Sequence, residues 1–362
     1  MLTRPTLPPS PFSKALVDAT EEFQSALLGW YRVHARKLPW RESPSPYKTV
    51  VSEFMLQQTQ VKTVLPYFAR WLAALPDFQA LAAAPEARVL KLWEGLGYYS
   101  RARNLHRLGK ILAERDELPR TPAEWQELPG IGPYTAAAIT SISFNAPAAC
   151  VDGNVVRILA RLTADATPFR DSANAAKTFA PLANALLTKE NAGEHNQAMM
   201  ELGATVCVRH KPLCLTCPVQ PFCTAAQRGE PDAFPRLAPK IMEQRVVTRV
   251  WCVRDQALLL HRAAVDARRL AELHELPAAE HLRRAEKSFE PGDLLATKRR
   301  TITRFQITEN IYVANVPRGK LHPELVWVPI GGIDGISLSG PHRRWIDELL
   351  RNSGVPSQPG RI

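Results

Sequence analysis

No window of about 18 consecutive apolar residues occurs in the 362-residue chain, so the sequence predicts no membrane-spanning helix and no membrane partner. The opening MLTRPTLPPSPFSK carries no apolar stretch behind its basic residue and does not read as a secretory signal. A reducing, cytoplasmic setting is expected. Cysteine is scarce: there are six, and four of them crowd into residues 207–223. In a reducing compartment such crowding favours a metal over disulfides. Negative charge is also in short supply, 35 acidic against 46 basic residues, for a net charge of +11. That imbalance points to a polyanionic partner, nucleic acid before others. Between residues 20 and 225 long alternating apolar–polar runs are missing, which excludes a sheet-based architecture there.

What is present instead is helical periodicity. Phe23, Leu27, Trp30 and Tyr31 fall on one helix face. Val61, Val64, Leu65, Phe68 and Leu72 share another, and Val155, Ile158, Leu159 and Leu162 a third. Breaks fall at Pro44-Ser45-Pro46, Gly95-Leu96-Gly97, Leu128-Pro129-Gly130 and Gly193. The length suffices for two domains. We expect a disordered leader over 1–19, an all-α domain over 20–226, a Gly/Pro linker over 227–242, a smaller α+β domain over 243–350, and a tail over 351–362. In the α+β part, 245–253 and 257–261 flank Asp255-Gln256 as a hairpin, 301–316 and 325–329 are further strands, and 341–350 is a closing helix.

Cys207, Cys214, Cys217 and Cys223 have the spacing C-x6-C-x2-C-x5-C. Four thiolates so close repel one another unless a positive centre holds them. Pro212, Pro218 and Pro221 stiffen the loop. The spacing alone admits zinc or a [4Fe–4S] cluster. Upstream, Leu128-Pro129-Gly130-Ile131-Gly132-Pro133-Tyr134-Thr135 reads as a tight turn entering a helix through an Ala run. Gly130 and Gly132 can take positive φ, so that backbone N–H groups point outward as an anion site suited to a DNA phosphate. An ordinary αα-hairpin reads the same way.

Two carboxylates stand out. Asp152 precedes the helical run Gly153-Asn154-Val155-Val156 and reads as an N-cap, a position that keeps a carboxylate ionised. Glu53 lies in Val50-Val51-Ser52-Glu53-Phe54-Met55-Leu56-Gln57-Gln58, among largely apolar neighbours. A dry site raises its pKa, whereas a solvent-facing helical Glu is the plain alternative. One protonated and one ionised carboxyl divide the work of breaking a glycosidic bond.

Hairpin and cysteine loop together resemble the helix–hairpin–helix DNA glycosylases that carry an iron–sulfur loop. Within these the chain is most similar to the MutY family, densely over 20–225 and thinly over 243–350. The similarity rests on Leu38-Pro39-Trp40-Arg41, Ser52–Val61, Gly95-Leu96-Gly97-Tyr98-Tyr99, Asp152-Gly153-Asn154-Val155 and Asn196-Gln197-Ala198-Met199-Met200-Glu201-Leu202-Gly203. The resemblance implies removal of adenine mispaired with 8-oxoguanine or guanine in double-stranded DNA, by a monomer with a [4Fe–4S] cluster on the four cysteines. It implies that Glu53 protonates the leaving base and that Asp152 stabilises the cationic sugar with Asn154 as orienting amide. Trp40, Arg41, Leu56 and Gln197 would line an adenine pocket, and Gln58 and Tyr98 would wedge into the duplex. Gly130, Gly132 and Thr135 would hold DNA phosphates, as would Arg209 and Lys211. Bifunctional relatives place a lysine where this chain has Tyr134; a phenol forms no imine, so water is the expected final nucleophile. An endonuclease III-like lyase and a non-catalytic DNA-binding protein are the competing readings.

The C-terminal part resembles the Nudix-like domain of the same family. Leu270–Pro277 is a worn version of one of its segments, and no acidic run with Nudix-box spacing follows, so no pyrophosphohydrolase activity is expected. The usual Phe-Ser-His loop aligns with Ile302-Thr303-Arg304, where Thr303 keeps a hydroxyl, Arg304 a donor, and the aromatic packing is lost. Cys150 and Cys252 read as buried thiols.

Overall fold

The computed structural model describes residues 11–267, 270–282, 292–314 and 322–352. Most of the expected leader and tail, residues 1–10 and 353–362, lies outside the described residues. Residues Pro11–Asp18, assigned to that leader by the sequence, form a helix with Leu16 buried. A proline is well tolerated as a first helical residue, where no N–H partner is needed.

The chain divides into two compact units. One comprises Met1–Gln58 with Ile111–Pro239, and the other Thr59–Lys110 with Lys240–Ile362. The first is helical. Its core gathers Phe23, Leu27 and Tyr31 from helix Thr20–His34, Val155, Ile158, Leu159 and Leu162 from helix Gly153–Thr163, and Met199 and Leu202 from helix Ala192–Thr205. Each fully buried Ile or Leu contributes roughly 1.5–3 kcal/mol. The Asp152 cap starts Gly153–Thr163, and Ala164, left-handed at φ 46°, ends it. Residues 231–238, within the expected linker, pack onto this unit: the Arg161 Nε donates to the Pro231 carbonyl at 2.8 Å, and Phe169 exchanges backbone bonds with Arg236 and Ala238.

In the second unit, strands β1 (Glu243–Trp251), β5 (Leu294–Ile302) and β6 (Phe305–Val313) form a sheet in the order β1-β6-β5. Strands β2 (Val253–Arg254), β3 (Ala257–Arg262), β4 (His274–Glu275) and β7 (Leu325–Pro329) form another, in which β3 pairs with all three others. The Asp255-Gln256 hairpin is present, both residues at positive φ as a two-residue turn requires. It joins only β2 to β3, however. The stretch expected to be its first arm, β1, pairs in parallel with β6 instead. The pairing is fixed by a buried charge: Arg249 on β1 donates from Nε to Glu309 on β6 at 2.7 Å, and Arg300 on β5 also bonds Glu309. Burial pushes the Glu309 carboxyl up, but His342, Arg249 and Arg300 overcome it and hold it at about 2. Helix Gly340–Asn352 covers this unit's core through Trp345, Ile346, Leu349 and Leu350.

Candidate active site

Helix Pro46–Leu56 begins at Ser45, whose hydroxyl accepts the Lys48 N–H at 3.2 Å. It packs against the hairpin helix Pro133–Phe144. Val50, Val51, Phe54 and Met55 are buried, and Glu53 among them is only 7% exposed. Burial, with a smaller contribution from the nearby Asp152 charge, raises the Glu53 pKa to about 7 against the opposing Tyr134 hydrogen bond and Arg41 charge. The Tyr134 hydroxyl also lies 3.6 Å from the Met200 sulfur. The solvent-facing alternative for Glu53 is thereby removed, and the group holds its proton to near neutrality.

Asp152 accepts the N–H groups of Asn154 and Val155 on Oδ1, each at 2.8 Å, and the Asn154 side-chain amide on Oδ2 at 3.0 Å. Burial still wins: the carboxyl sits above its ordinary value, with those donors and the Arg157 charge pulling it down. Arg157 donates to the Asn154 Oδ1 at 2.9 Å, to the Gly203 carbonyl at 2.8 Å and to the Cys207 carbonyl at 2.8 Å. A Cβ at Gly203 would lie 2.6 Å from the Asn154 Cβ, so the absence of a side chain there makes room for the amide. Asn196, fully buried, accepts the Cys150 N–H at 2.9 Å and donates to the Ala148 carbonyl at 2.7 Å, which fixes the loop running into Asp152.

Sequence reasoning missed one trio. Glu201 is wholly buried and takes Arg36 on both oxygens, Nε at 2.5 Å and Nη2 at 3.0 Å, and Arg41 Nη1 at 3.0 Å. Burial pushes the Glu201 pKa up, but the two arginines bring it below its ordinary value. Arg41 is thus held near Glu53, with its guanidinium 5.6 Å from the Tyr31 ring centre. The signal was a glutamate set between Ala198-Met199-Met200 and Leu202-Gly203. Trp40 is buried, Leu56 and Gln197 are half-buried, and the Tyr31 hydroxyl donates to Gln197 at 3.4 Å.

At the hairpin, Gly130 takes φ +78° as expected, but Gly132 does not: it is extended at φ −95° and caps the helix, with Pro133 following. Thr135 is buried and its hydroxyl accepts the Gln57 amide at 3.3 Å. Arg209 and Lys211 are exposed on the cysteine loop. Gln58 is exposed at φ +58°. Tyr98, Thr303 and Arg304 belong to the second unit. Thr303 and Arg304 form the two-residue turn between β5 and β6, and Arg304 pairs with Glu243 at 2.8 Å. Phe305, next in sequence, carries Arg245 at 3.6 Å and Arg304 at 5.1 Å from its ring centre.

Cys207, Cys214, Cys217 and Cys223 line one cavity with Arg161, Val206, Pro212 and Gln220. All four are free thiols. The Arg161 Nη1 lies 3.3 Å from the Cys207 sulfur. Burial pushes Cys217 up to about 12, and the neighbouring sulfurs push further. Cys150 and Cys252 are buried, as expected.

Residues 51–178, which include Glu53, Tyr134 and Asp152, match the HhH-GPD superfamily of base excision DNA repair proteins. The match spans 128 of the 362 residues. Over 242 residues it is 45% identical to the adenine DNA glycosylase of Mus musculus, covering 63% of this chain and 46% of that protein. Over 204 residues it is 38% identical to the adenine DNA glycosylase of Buchnera aphidicola subsp. Baizongia pistaciae, covering 56% of this chain and 57% of that one. The chain spans about half the length of the curated relatives it matches. Among solved structures, a thermostable thymine-DNA glycosylase aligns with a TM-score of 0.53 and 25% identity, over 59% of this chain and 99% of that one. The hairpin helix and both carboxylates lie in one compact unit. Among the described residues no helix is long and apolar enough to cross a membrane.

Proposed function

We propose that the protein is a monofunctional DNA glycosylase of base excision repair, hydrolysing the N-glycosidic bond of adenine mispaired with 8-oxoguanine or guanine in duplex DNA. The observation that carries this reading is Glu53: a buried acid poised near pH 7 and hydrogen-bonded to a tyrosine rather than to a lysine. A flipped adenine leaves as a neutral base only if it is protonated as the bond stretches, and Glu53 donates that proton. The sugar becomes cationic. Asp152, held by three donors from its own helix start, supplies the negative charge that favours it. Asn154 fixes the carboxylate plane, and Glu53, once deprotonated, accepts a proton from the attacking water. Arg41 and Glu201 present the polar wall of a pocket that Trp40, Leu56 and Gln197 complete. The similarity to adenine DNA glycosylases selects adenine as the base.

The cysteine loop suits an iron–sulfur cluster. Four thiols line one cavity, the all-sulfur donor set that such a cluster takes. Cys207, Cys214, Cys217 and Cys223 would hold a [4Fe–4S] cluster, whose positive irons stabilise the thiolates and tie the loop into one shape. Arg209 and Lys211 on that loop, and the N–H groups behind Gly130 and Gly132, would then grip DNA phosphates. The smaller α+β unit is read as Nudix-like, with Thr303 and Arg304 facing the base opposite adenine. The net charge of +11 suits a nucleic-acid partner, and the protein is read as a cytoplasmic monomer acting on nucleoid DNA.

Single-turnover base release from duplexes pairing adenine with 8-oxoguanine, guanine, cytosine or thymine tests the proposal. Release confined to the first two, without borohydride trapping on abasic DNA, supports it. Trapping, or excision of pyrimidines alone, overturns it.

A further inference from the structure

The turn Glu94–Tyr98 holds one aromatic ring outward. Gly95 at φ +105° and Gly97 at φ +72° take backbone conformations that side chains disfavour, and a Cβ at Gly95 would run into the Tyr67 hydroxyl. Tyr98 itself sits at φ +50°, a left-handed conformation that few non-glycine residues adopt without reinforcement. Its ring is nevertheless 42% exposed, so burial of the ring is not what holds the backbone there.

The reinforcement comes from below. Arg101 is only 8% exposed. Its guanidinium lies 5.2 Å from the Tyr98 ring centre and 5.4 Å from that of Trp93. The Nη2 donates to the Leu96 and Gly97 carbonyls, both at 3.3 Å, and to the Thr59 hydroxyl at 3.4 Å. Trp93 adds an indole bond to the Gly97 carbonyl at 3.0 Å, and is itself wedged edge-on against Trp71. Burial lowers the Arg101 pKa to about 10, so the group remains charged at neutral pH. A methionine would cover Trp93 equally well, since dry cations are seldom favoured over apolar side chains for stability alone. It would not pin two carbonyls and underlie an exposed ring at once.

We propose that Arg101 is a positioning residue for intrusion into DNA: its guanidinium, bonded through Nη2, locks the Leu96–Gly97 turn and presents the Tyr98 ring, already in place, to the gap left by an extruded nucleotide. A wedge must replace lost base stacking. A ring that must first be ordered loses part of that gain to entropy, whereas a ring held beforehand keeps it. The inference rests on the base-extruding function proposed above and adds a residue to it.

The test is a double-mutant cycle on the full chain. Binding to adenine·8-oxoguanine and fully paired duplexes is measured for wild type, Tyr98→Ala, Arg101→Met and the double variant, and 2-aminopurine beside the target adenine reports extrusion. Arg101→Met is expected to weaken mispair binding about tenfold, to lower the fluorescence gain, and to leave paired-duplex binding within about twofold. In the Tyr98→Ala background it should add less than about twofold, and Arg101→Lys, charged but without the planar fork, should fall between wild type and Met. Equal losses in both backgrounds, or on both duplexes, overturn the proposal. If Arg101→Met loses its helical circular dichroism, Arg101→Lys and Trp93→Phe carry the same cycle. Failure of the glycosylase reading is separately visible as no base release by the wild type from any duplex, while the fluorescence arm still reads intrusion.

Discussion

Replacing Glu53 by glutamine should make the protein more stable while removing its chemistry. The carboxyl titrates near pH 7 in the folded chain against the ordinary 4.5. Below pH 4.5 it is protonated in both folded and unfolded states and contributes nothing. Between 4.5 and 7 the unfolded chain releases the proton and the folded chain does not, so stability falls by about 1.4 kcal/mol per pH unit. Above 7 the loss levels off at about 3 kcal/mol. Glutamine keeps the shape and can accept the Tyr134 hydrogen bond, but it does not ionise. Glu53→Gln should therefore match the wild type near pH 5 and exceed it by about 3 kcal/mol at pH 8, a rise on the order of 10 °C in the melting of this unit. Thermal and urea melts from pH 5 to 8 measure the difference, and single-turnover excision at each pH should show a loss of about 10²–10⁴-fold. A gap that does not widen with pH, or a variant less stable at pH 8, refutes the dry-acid argument.

Gly203→Ala would drive a Cβ against Asn154; a loss of about 1–3 kcal/mol is expected together with slower excision, whereas Ala204→Gly nearby should spare excision. Asp152→Asn should abolish base release while DNA binding, followed by gel shift, persists. Arg304→Ala breaks an exposed pair with Glu243 and should change stability by less than about 1 kcal/mol. Its effect should appear as a reduced preference for 8-oxoguanine over guanine in excision rates. Iron and sulfide analysis of purified protein should return about four irons per chain with visible absorbance; stoichiometric zinc instead would overturn the cluster assignment.

The helical unit was legible because its faces are written locally. The run Val155, Ile158, Leu159 and Leu162 and the capping Asp152 lie within one short stretch, and all four apolar side chains are buried. What escaped depends on distant partners. Glu201 meets Arg36 across 165 positions, and no period or spacing announces that pair. Strand β1 looked like one arm of a local hairpin, yet its partner is β6, chosen by Arg249 and Glu309 sixty residues apart. Asp152 carries the cap its sequence position implies, but the burial that opposes those donors comes from elements the motif does not contain. The conformation of Gly132 was likewise decided by its role as helix cap, not by its freedom to turn.

The way the chain is shared between the two units has a consequence for synthesis. Thr59–Lys110 interrupts the helical unit in sequence but belongs with residues beyond 240. Tyr99 gives its hydroxyl proton to the Leu338 carbonyl at 2.8 Å, Arg103 bonds the Ala271 carbonyl at 2.5 Å, and Arg343 pairs with Glu94. On a ribosome, the stretch that carries Tyr98 therefore emerges early, while the partners of Tyr99, Arg103 and Glu94 are translated last. Both carboxylates and all four clustered cysteines can be in place before the unit that carries the protruding tyrosine is complete.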